Sequence, residues 1–328
     1  MTRRNLILIH RGPKYEQDFA EISTKIFALD PDITIYSLAT GTTDQLPQTA
    51  WQRPTLTVAL NAKFNLEVKR GPVLKNHQID KLVQYRIFRE AGLPTPPTLP
   101  FKFGMQLDPI MFGEFVLIKP MSLTLGSQGR GVQLFRRKRL ERMTSRDFSP
   151  DHLIHKAGEG FLVQKFIDTG ELVSYNRVST FFSEPMYSYF SRAKSPRGSL
   201  GSPDELIEKL PITNNASSFR ERSLRAEEDI VALAKRVHDA FPDIPLLGTD
   251  ILREQGTGKL LVIECNPGGN TWHFSSQMNM PLRLALGKAS LVGPKKAHAV
   301  ARQMHIDQFN AFDRAARVLT EKTQALAR

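Results

Sequence analysis

The sequence predicts a mixed α/β fold, and three observations carry that prediction. The chain has 328 residues, which is enough for two or three domains. Its first part reads as β-α-β, with a strand at 6–9, a helix at 15–29, a strand at 33–38 and a third strand at 56–60. Late in the chain, residues 246–270 read as two apolar runs joined by a glycine-containing turn, which is the pattern of a β-hairpin.

The composition is that of an ordinary globular protein, with 41% hydrophobic and 24% charged residues. A single cysteine excludes a disulfide framework within this chain and favours a reducing compartment. We expect that residue, Cys265, to be a buried structural thiol. The apolar stretch in MTRRNLILIHRG is too short for a signal peptide, and no run approaches the roughly 20 apolar residues of a membrane span. We therefore expect a cytoplasmic protein without a membrane partner.

The net charge of +12 favours an anionic ligand, such as a nucleotide, an acidic peptide or nucleic acid. The densest basic run is FRRKRLERMTSR at 135–146, which follows a predicted strand and opens a helix. It is either a solvated face or a polyanion site. No aromatic residue interleaves with the basic ones after Phe135, which argues against a platform for stacking single-stranded bases.

The middle of the chain reads as a helix, a stiff linker and a series of strands. Spaced apolar residues from 79 to 88 predict a helix that ends at Gly92 and Pro94. The prolines from 94 to 100 predict an extended joint between domains. Residues 194–215, rich in Ser, Pro, Gly and Asn, predict a mobile loop that closes over a site. A helix over 223–240 precedes the hairpin, and the end of the chain reads as helical and basic.

Three oxygen-donor side chains lie on the predicted hairpin. Asp250 ends the first apolar run, and Glu264 and Asn266 lie in the second. Residues two apart on a strand share a face, so Glu264 and Asn266 point the same way. Carboxylate and amide oxygens suit magnesium, which keeps water and nucleotide phosphates as its other ligands. The alternative is a half-buried hairpin whose polar residues face water.

A glycine-rich loop follows the strand that ends at Lys119. Its glycines are Gly126, Gly129 and Gly131. Such a turn lets backbone N–H groups approach phosphate oxygens, while a lysine supplies compensating charge. The loop is neither a Walker A sequence nor G-x-G-x-x-G, and a purely structural β-turn has the same composition.

Together these segments resemble the ATP-grasp superfamily over roughly residues 75–275. DKLVQYRIFREAGLP is similar to the family's helix leading into G-[IL]-P-x-P, VLIKP to its second lysine strand, FLVQKFIDTGE to its hinge strand, and ECNP to its E-x-N-P string. These features occur in the family's order. The resemblance implies an ATP-grasp fold, in which two α/β subdomains clasp ATP.

The resemblance also implies a role for each matching residue. Lysines reach the phosphates, a glycine loop covers them, a hinge segment pairs with adenine, and a carboxylate meets the ribose. The implied nucleotide-binding residues are Lys81, Lys119, Gly126, Ser127, Gly129, Gly131, Gln164, Lys165, Phe166, Ile167 and Glu171. The implied magnesium ligands are Asp250, Glu264 and Asn266, and the arginines that hold phosphate or acyl-phosphate oxygen are Arg177 and Arg192.

Within the superfamily, the chain is most similar to glutathione synthetase-like and ribosomal-protein glutamate ligase-like enzymes. It departs from them after Arg192, where AKSPRGSLGS stands in place of an R-x-N string, so the substrate cannot be carried over. GGNTWHFSS follows the metal strand, where such ligases bind substrate. Asn270, Trp272 and His273 are therefore candidate substrate contacts, with simple packing as the alternative for the two aromatic residues.

We expect three parts along the chain: an N-terminal α/β domain at 1–72, an ATP-grasp domain at 73–280 with its lid at 98–165, and a C-terminal helical extension at 281–328. The resemblance implies a carboxylate–amine ligase that uses ATP and Mg²⁺, passes through an acyl phosphate and releases ADP and phosphate. The amine acceptor would be a small molecule, a peptide or an aminoacyl carrier. A phosphotransferase, a nucleotide-binding regulator, a nucleic-acid partner and a homodimer are left open.

Overall fold

The computed structural model describes residues 3–12, 15–61, 64–121, 131–156, 160–212, 220–268, 271–275, 284 and 286–328. Their strands form three sheets, which are joined along the chain by helices. The predicted α/β class is confirmed. No helix in the described part of the chain is long and apolar enough to cross a membrane.

The first sheet is parallel and has the strand order β2-β1-β3-β4. Its strands are β1 Arg4–His10, β2 Ile33–Ala39, β3 Thr55–Ala59 and β4 Val73–Lys75, and helix α1 (Glu16–Leu29) connects the first two. Every residue of β3 is buried, as expected for a parallel sheet that is covered on both faces. Because β4 pairs with β3, this sheet extends to Lys75, past the predicted boundary at residue 72.

The second sheet has the order β5-β8-β6-β7, and its described pairings are antiparallel. Its strands are β5 Thr98–Pro100, β6 Phe115–Pro120, β7 Gln133–Arg136 and β8 Phe161–Lys165, with short helices α3 (Pro109–Phe112) and α4 (Arg137–Leu140). One face packs on an aromatic cluster that includes Phe112, Phe135 and Phe161. Part of the proline-rich joint thus forms an edge strand, because β5 pairs with β8.

The third sheet is antiparallel, in the order β11-β10-β9-β12-β13. Its strands are β9 Ser174–Phe181, β10 Glu184–Ala193, β11 Arg220–Leu224, β12 Leu246–Arg253 and β13 Leu260–Pro267. Helices α2 (Lys81–Glu90) and α6 (Glu228–Asp239) pack on one face, which also buries Cys265. Strands β12 and β13 form the predicted hairpin. Across this sheet, Asp250 of β12 is the cross-strand partner of both Arg177 on β9 and Glu264 on β13.

The last helices are α7 (Ala289–Val292), α8 (Pro294–Asp307) and α9 (Ala311–Leu326). Helix α9 packs on α1 and β10, and its buried Phe312 and Leu319 share a core with Phe19 and Ile22 of α1. The C-terminal segment is therefore built into the N-terminal core. Short 3₁₀ helices lie at Thr40–Gln45, Gln48–Trp51, Ser145–Asp147 and Leu153–His155.

The structure differs from the prediction in two segments. The helix expected over 223–240 begins only at Glu228, because residues 220–224 pair with β10 as an edge strand. The loop expected to be mobile at 194–215 is packed in its described part, which contains helix α5 (Asp204–Ile207). There, Ile207 is fully buried against Leu134 of the second sheet. Residues 213–215 lie outside the described residues.

The buried His238 on α6 predicts a loss of stability in acid. Its Nδ1 lies 2.7 Å from the Thr180 hydroxyl and its Nε2 2.8 Å from the Ile244 carbonyl. Burial lowers the pKa of His238 from 6.5 to about 4. Between pH 6.5 and about pH 4, the His238 side chain therefore binds a proton in the unfolded chain but not in the native state. The contribution of the neutral His238 to the free energy of unfolding is complete above pH 6.5. It is lost as the pH falls from 6.5 to about 4, and the loss amounts to roughly 3 kcal/mol at most.

We expect the unfolding midpoint of the wild type to drop more steeply from pH 7 to pH 4.5 than that of His238→Gln. Thermal unfolding followed by circular dichroism at several pH values measures both slopes. Equal slopes would show that the imidazole is already accessible to protons in the native state.

Candidate nucleotide and metal site

The carboxylates of the hairpin meet on one face of the third sheet. Asp250 on β12 is the direct cross-strand partner of Glu264 on β13, and Gly248 is the partner of Asn266. The amide nitrogen of Asn266 lies 3.4 Å from Asp250 Oδ2 and 3.3 Å from Glu264 Oε1. The structure therefore brings the three predicted metal ligands together. They are a compact oxygen-rich group on adjacent strands.

Arg177 occupies the next position along this row of the sheet. It lies on β9 opposite Asp250, and its Nε and Nη2 donate to Asp250 Oδ1 and Oδ2 at 2.6 and 2.5 Å. This is the two-bond geometry in which a guanidinium holds a carboxylate most firmly. Arg177 is therefore beside the candidate metal ligands.

The two predicted lysines reach the same region from the other side. Lys81, at the start of α2, donates to the Pro120 carbonyl at 3.1 Å. Lys119, on β6, donates to the Tyr85 hydroxyl at 2.6 Å and to Gln164 Oε1 at 3.1 Å. Both lysines are largely buried, with 5% and 8% of their surface exposed. Long cationic side chains are rarely buried so fully, so these two mark a specialised site.

The lysines and the hairpin influence one another electrostatically. Burial would raise the pKa of Glu264, but the cations Lys81, Lys119 and Arg177 outweigh it and lower that pKa. Burial raises the pKa of Asp250 to about 6 against the opposing effect of Arg177. Burial also lowers the pKa of Lys119 to about 8. Glu264 therefore belongs to one charged cluster with both lysines.

The donor set fits a magnesium ion. Among the residues described, no three His, Cys, Asp or Glu side chains come close enough to hold a metal, so a site for zinc is not formed there. Asp250, Glu264 and the amide of Asn266 provide hard oxygen donors in one place, and magnesium commonly needs only one or two carboxylates besides phosphate and water. The Asn266 amide can present its oxygen by rotating half a turn.

The predicted adenine hinge is placed at the end of β8. The N–H groups of Lys165 and Phe166 already donate to the Pro97 and Phe115 carbonyls, both at 2.9–3.0 Å. Adenine would therefore have to pair with other backbone groups of residues 164–167. The side chain of Gln164 faces inward to Lys119 and Tyr85, and Ile167 is buried.

Other predicted nucleotide-binding residues lie around this hinge. The carboxylate of Glu171 is exposed, and its backbone carbonyl accepts from the Arg197 N–H. Gly131 has a φ of +70°, and a Cβ there would lie 2.9 Å from Leu153 and Pro120, so the position requires glycine. The predicted residues Gly126, Ser127, Gly129 and Asn270 lie outside the described residues.

The prediction for Arg192 is wrong. Arg192 lies three residues beyond Tyr189, the cross-strand partner of Arg177, so its side chain points to the opposite face of the sheet. It is 46% exposed and pairs with Glu221 at 3.0 Å. Arg192 is thus a surface residue, away from Arg177 and Asp250.

The predicted substrate contacts Trp272 and His273 are core residues instead. Trp272 is completely buried, stacks on Phe19 and donates from Nε1 to the buried Asp18 at 2.9 Å. His273 is 3% exposed and stacks on Tyr187. Both side chains therefore pack in the core, which was the alternative to a substrate contact. Asp18 also binds Arg302 at 2.8 Å, so this cluster ties α1 and α8 to the segment that follows β13.

The basic run at 135–146 is engaged in ion pairs. Arg136 binds Asp204 at 2.7 Å, and Arg137 binds Glu141 at 2.6 Å. Arg139 lies 3.4 Å from Glu208. These carboxylates neutralise much of the run, which favours the solvated-face alternative over a polyanion site.

Sequence reasoning missed two arginines on the site face. Arg222 on β11 lies opposite Ser191, two residues from Tyr189, and so shares the face of Arg177. Arg220 lies two residues before it, on the same face, over the Tyr175 ring at 5.1 Å. The alternation R-x-R in FRERSL was the available signal, but residues 216–222 were assigned to no element and the helix was predicted to begin at Ser223.

No protein-family model matches the chain, and no curated protein matches it by sequence. Several solved structures are similar to it. D-cycloserine synthetase DcsG has a TM-score of 0.45 and 14% identity, covering 92% of this chain and 99% of its own. The D-alanine–D-alanine ligase from Bacillus anthracis complexed with ATP has a TM-score of 0.43 and 13% identity, covering 97% and 99%.

The macrocyclase MdnC from Microcystis aeruginosa, bound with the precursor peptide MdnA, has a TM-score of 0.47 and 9% identity, covering 92% and 99%. The similar structures include the ATP-grasp ligase PsnB. With TM-scores below 0.5, these similarities decide neither the activity nor the substrate of this chain.

Proposed function

We propose that the protein is an ATP-dependent carboxylate–amine ligase of the ATP-grasp type. One observation carries the proposal: two buried lysines from different elements lie near a hairpin that presents two carboxylates and an amide, beside Arg177 of β9. A triphosphate needs cations along its length, and a divalent ion needs hard oxygen donors beside it. This cluster supplies both in one place.

Each residue has a role in the proposed reaction. Lys81 and Lys119 bind the phosphates. Asp250, Glu264 and Asn266 would hold Mg²⁺, which would supply compensating charge for the phosphates. Arg177 lies beside them and stabilises charge on the transferred phosphoryl oxygens. Charge-stabilising groups gathered at one end of the nucleotide favour transfer of the terminal phosphoryl group.

The proposed chemistry has two steps. A carboxylate oxygen of the substrate attacks the γ-phosphorus, the bond to the bridging oxygen breaks, and ADP leaves. An amine then attacks the carbonyl carbon of the acyl phosphate, phosphate leaves, and the amine loses a proton. The protein contributes positioning and charge stabilisation in both steps.

Trapping with hydroxylamine tests the acyl phosphate. We expect a panel of carboxylic and amino acids, supplied with ATP, Mg²⁺ and hydroxylamine, to contain at least one member that yields a hydroxamate and ADP in equal amounts. Hydroxamate is detected by its iron complex and ADP by a coupled enzyme assay.

The products distinguish the proposed mechanism from its competitors. Pyrophosphate and AMP in place of ADP would contradict transfer of the terminal phosphoryl group. A stable phosphorylated product would identify a phosphotransferase. The variant Arg192→Gln should leave the yield unchanged, because that side chain lies on the opposite face.

A further inference from the structure

A half-buried arginine on the site face, Arg222, has two guanidinium nitrogens without a hydrogen-bond partner in the part of the chain that the structure describes. The Nε and Nη1 atoms of Arg222 are shielded from solvent without a hydrogen bond there, and no carboxylate among those residues lies within ion-pair distance. Its neighbour on the same face, Arg220, is held by the Ser191 hydroxyl at 2.8 Å and the Val173 carbonyl at 3.0 Å. Shielding these N–H groups from water without a hydrogen bond costs free energy, which an anion bound at Arg222 would recover.

The surroundings of Arg222 belong to the proposed active site. The row of the sheet that contains Asp250 and Arg177 continues to Tyr189 on β10. Arg222 is close enough to Tyr189 to lower the pKa of its hydroxyl, although burial, the largest effect, raises it to a value above the usual range. The Tyr189 ring also contacts the Tyr175 ring, over which the neighbouring Arg220 lies.

An anion bound at Arg222 would lie apart from the nucleotide. Strand β11 is the third neighbour of β12, so their backbones lie roughly 14 Å apart at the usual strand spacing. Arg177 and the lysines already serve the phosphate end. A guanidinium at the far end of the same face is suited to a planar carboxylate, which it can bind through two parallel hydrogen bonds.

We propose that Arg222, with Arg220 beside it, binds a substrate carboxylate other than the one that is activated. The activated substrate is then a diacid, whose second carboxylate is bound by Arg222. This inference rests on the proposed ligase function, because it places the substrate across β9, β10 and β11. Arg222 acts in binding and specificity, not in phosphoryl transfer.

Stability without ligand provides the first test. We expect Arg222→Met, in a buffer free of carboxylates, phosphate and sulfate, to unfold at the same temperature as the wild type or a higher one, because it removes two shielded N–H groups that lack partners and keeps the packing of the side chain. Arg220→Met should unfold at a lower temperature, because it loses bonds to Ser191 and Val173. If Arg222→Met and Arg222→Gln were both clearly less stable, the arginine would be a structural residue and the proposal would fail.

Ligand-induced stabilisation provides the second test. Succinate, glutarate and L-glutamate are compared with succinamate, glutaramate and L-glutamine, each with Mg²⁺ and a non-hydrolysable ATP analogue. We expect at least one diacid to raise the wild-type midpoint by about 3 °C more than its amide does. Arg222→Met should lose that difference. Arg225→Gln, a control that points to the opposite face and pairs with Glu227, should keep it.

The possible results distinguish the carboxylate subsite, a phosphate site and a failure of the proposed ligase function. If no diacid exceeds its amide in the wild type, or if the difference persists in Arg222→Met, the carboxylate subsite is refuted. If inorganic phosphate gives the same Arg222-dependent shift, the site binds phosphate and the carboxylate assignment is wrong. Calorimetry with the ATP analogue separates the two proposals, because a wild type that fails to bind nucleotide refutes the ligase function itself.

Discussion

Glu264→Gln is expected to abolish turnover while leaving the fold intact. Glutamine keeps the shape of the side chain but removes the charge that interacts with Lys81, Lys119 and Arg177 and that would bind Mg²⁺. Loss of a group that stabilises developing charge commonly lowers kcat by 10²–10³-fold. We expect a fall of about that size or larger in ADP formation, measured with the coupled assay. Circular dichroism confirms that the variant is folded.

A matched control lies in the same hairpin. Glu254 is a half-buried carboxylate at the turn, where it accepts a hydrogen bond from the Thr257 hydroxyl. Glu254→Gln should retain wild-type activity. The proposed metal site is wrong if Glu264→Gln forms ADP as fast as the wild type, or if both variants lose activity together.

Lys119→Ala is expected to weaken nucleotide binding strongly. The ammonium group is buried beside Tyr85 and Gln164, where its bond to a phosphate is little screened by water. A lost charged hydrogen bond corresponds to roughly 1.5–3 kcal/mol, or about 10–150-fold in Kd. Isothermal titration calorimetry with Mg²⁺ and a non-hydrolysable ATP analogue measures the change, and Lys81→Ala should behave similarly.

Two further variants separate charge from packing. Lys119→Met fills the same space without the charge and should bind nucleotide as weakly as Lys119→Ala. Lys138→Ala removes an exposed lysine from the same subdomain and should have no effect. Unchanged affinity in both Lys81→Ala and Lys119→Ala would mean that the nucleotide binds elsewhere.

The parts of the site that could be predicted depend on local sequence. The hairpin is encoded by two apolar runs around a glycine turn, and the shared face of Glu264 and Asn266 follows from strand geometry alone. Lys81 lies at a helix start capped by Asp80, which accepts from the Leu82 N–H. Each of these features is determined by a few neighbouring residues, so a single sequence contains the necessary information.

The parts that were missed depend on pairing between distant segments. The face of Arg192 is set by the register of β9 and β10, which contains an irregularity between Pro185 and Tyr187 that the sequence does not reveal. Arg220–Leu224 has few apolar residues. It forms a strand because its backbone pairs with β10 at the edge of the sheet. The segment at 194–212 was judged by its Ser, Gly and Pro content, but its few apolar residues pack on the second sheet.

The placement of α9 has a consequence for synthesis on the ribosome. The parallel sheet ends its third strand at Ala59, yet the helix that completes its core begins at Ala311. Roughly 250 residues must be translated between them, which takes on the order of 10–50 s at ordinary elongation rates. During that time Phe19 and Ile22 lack their final partners. The nascent N-terminal part is therefore expected to need a chaperone or to remain incompletely folded until the last helix emerges.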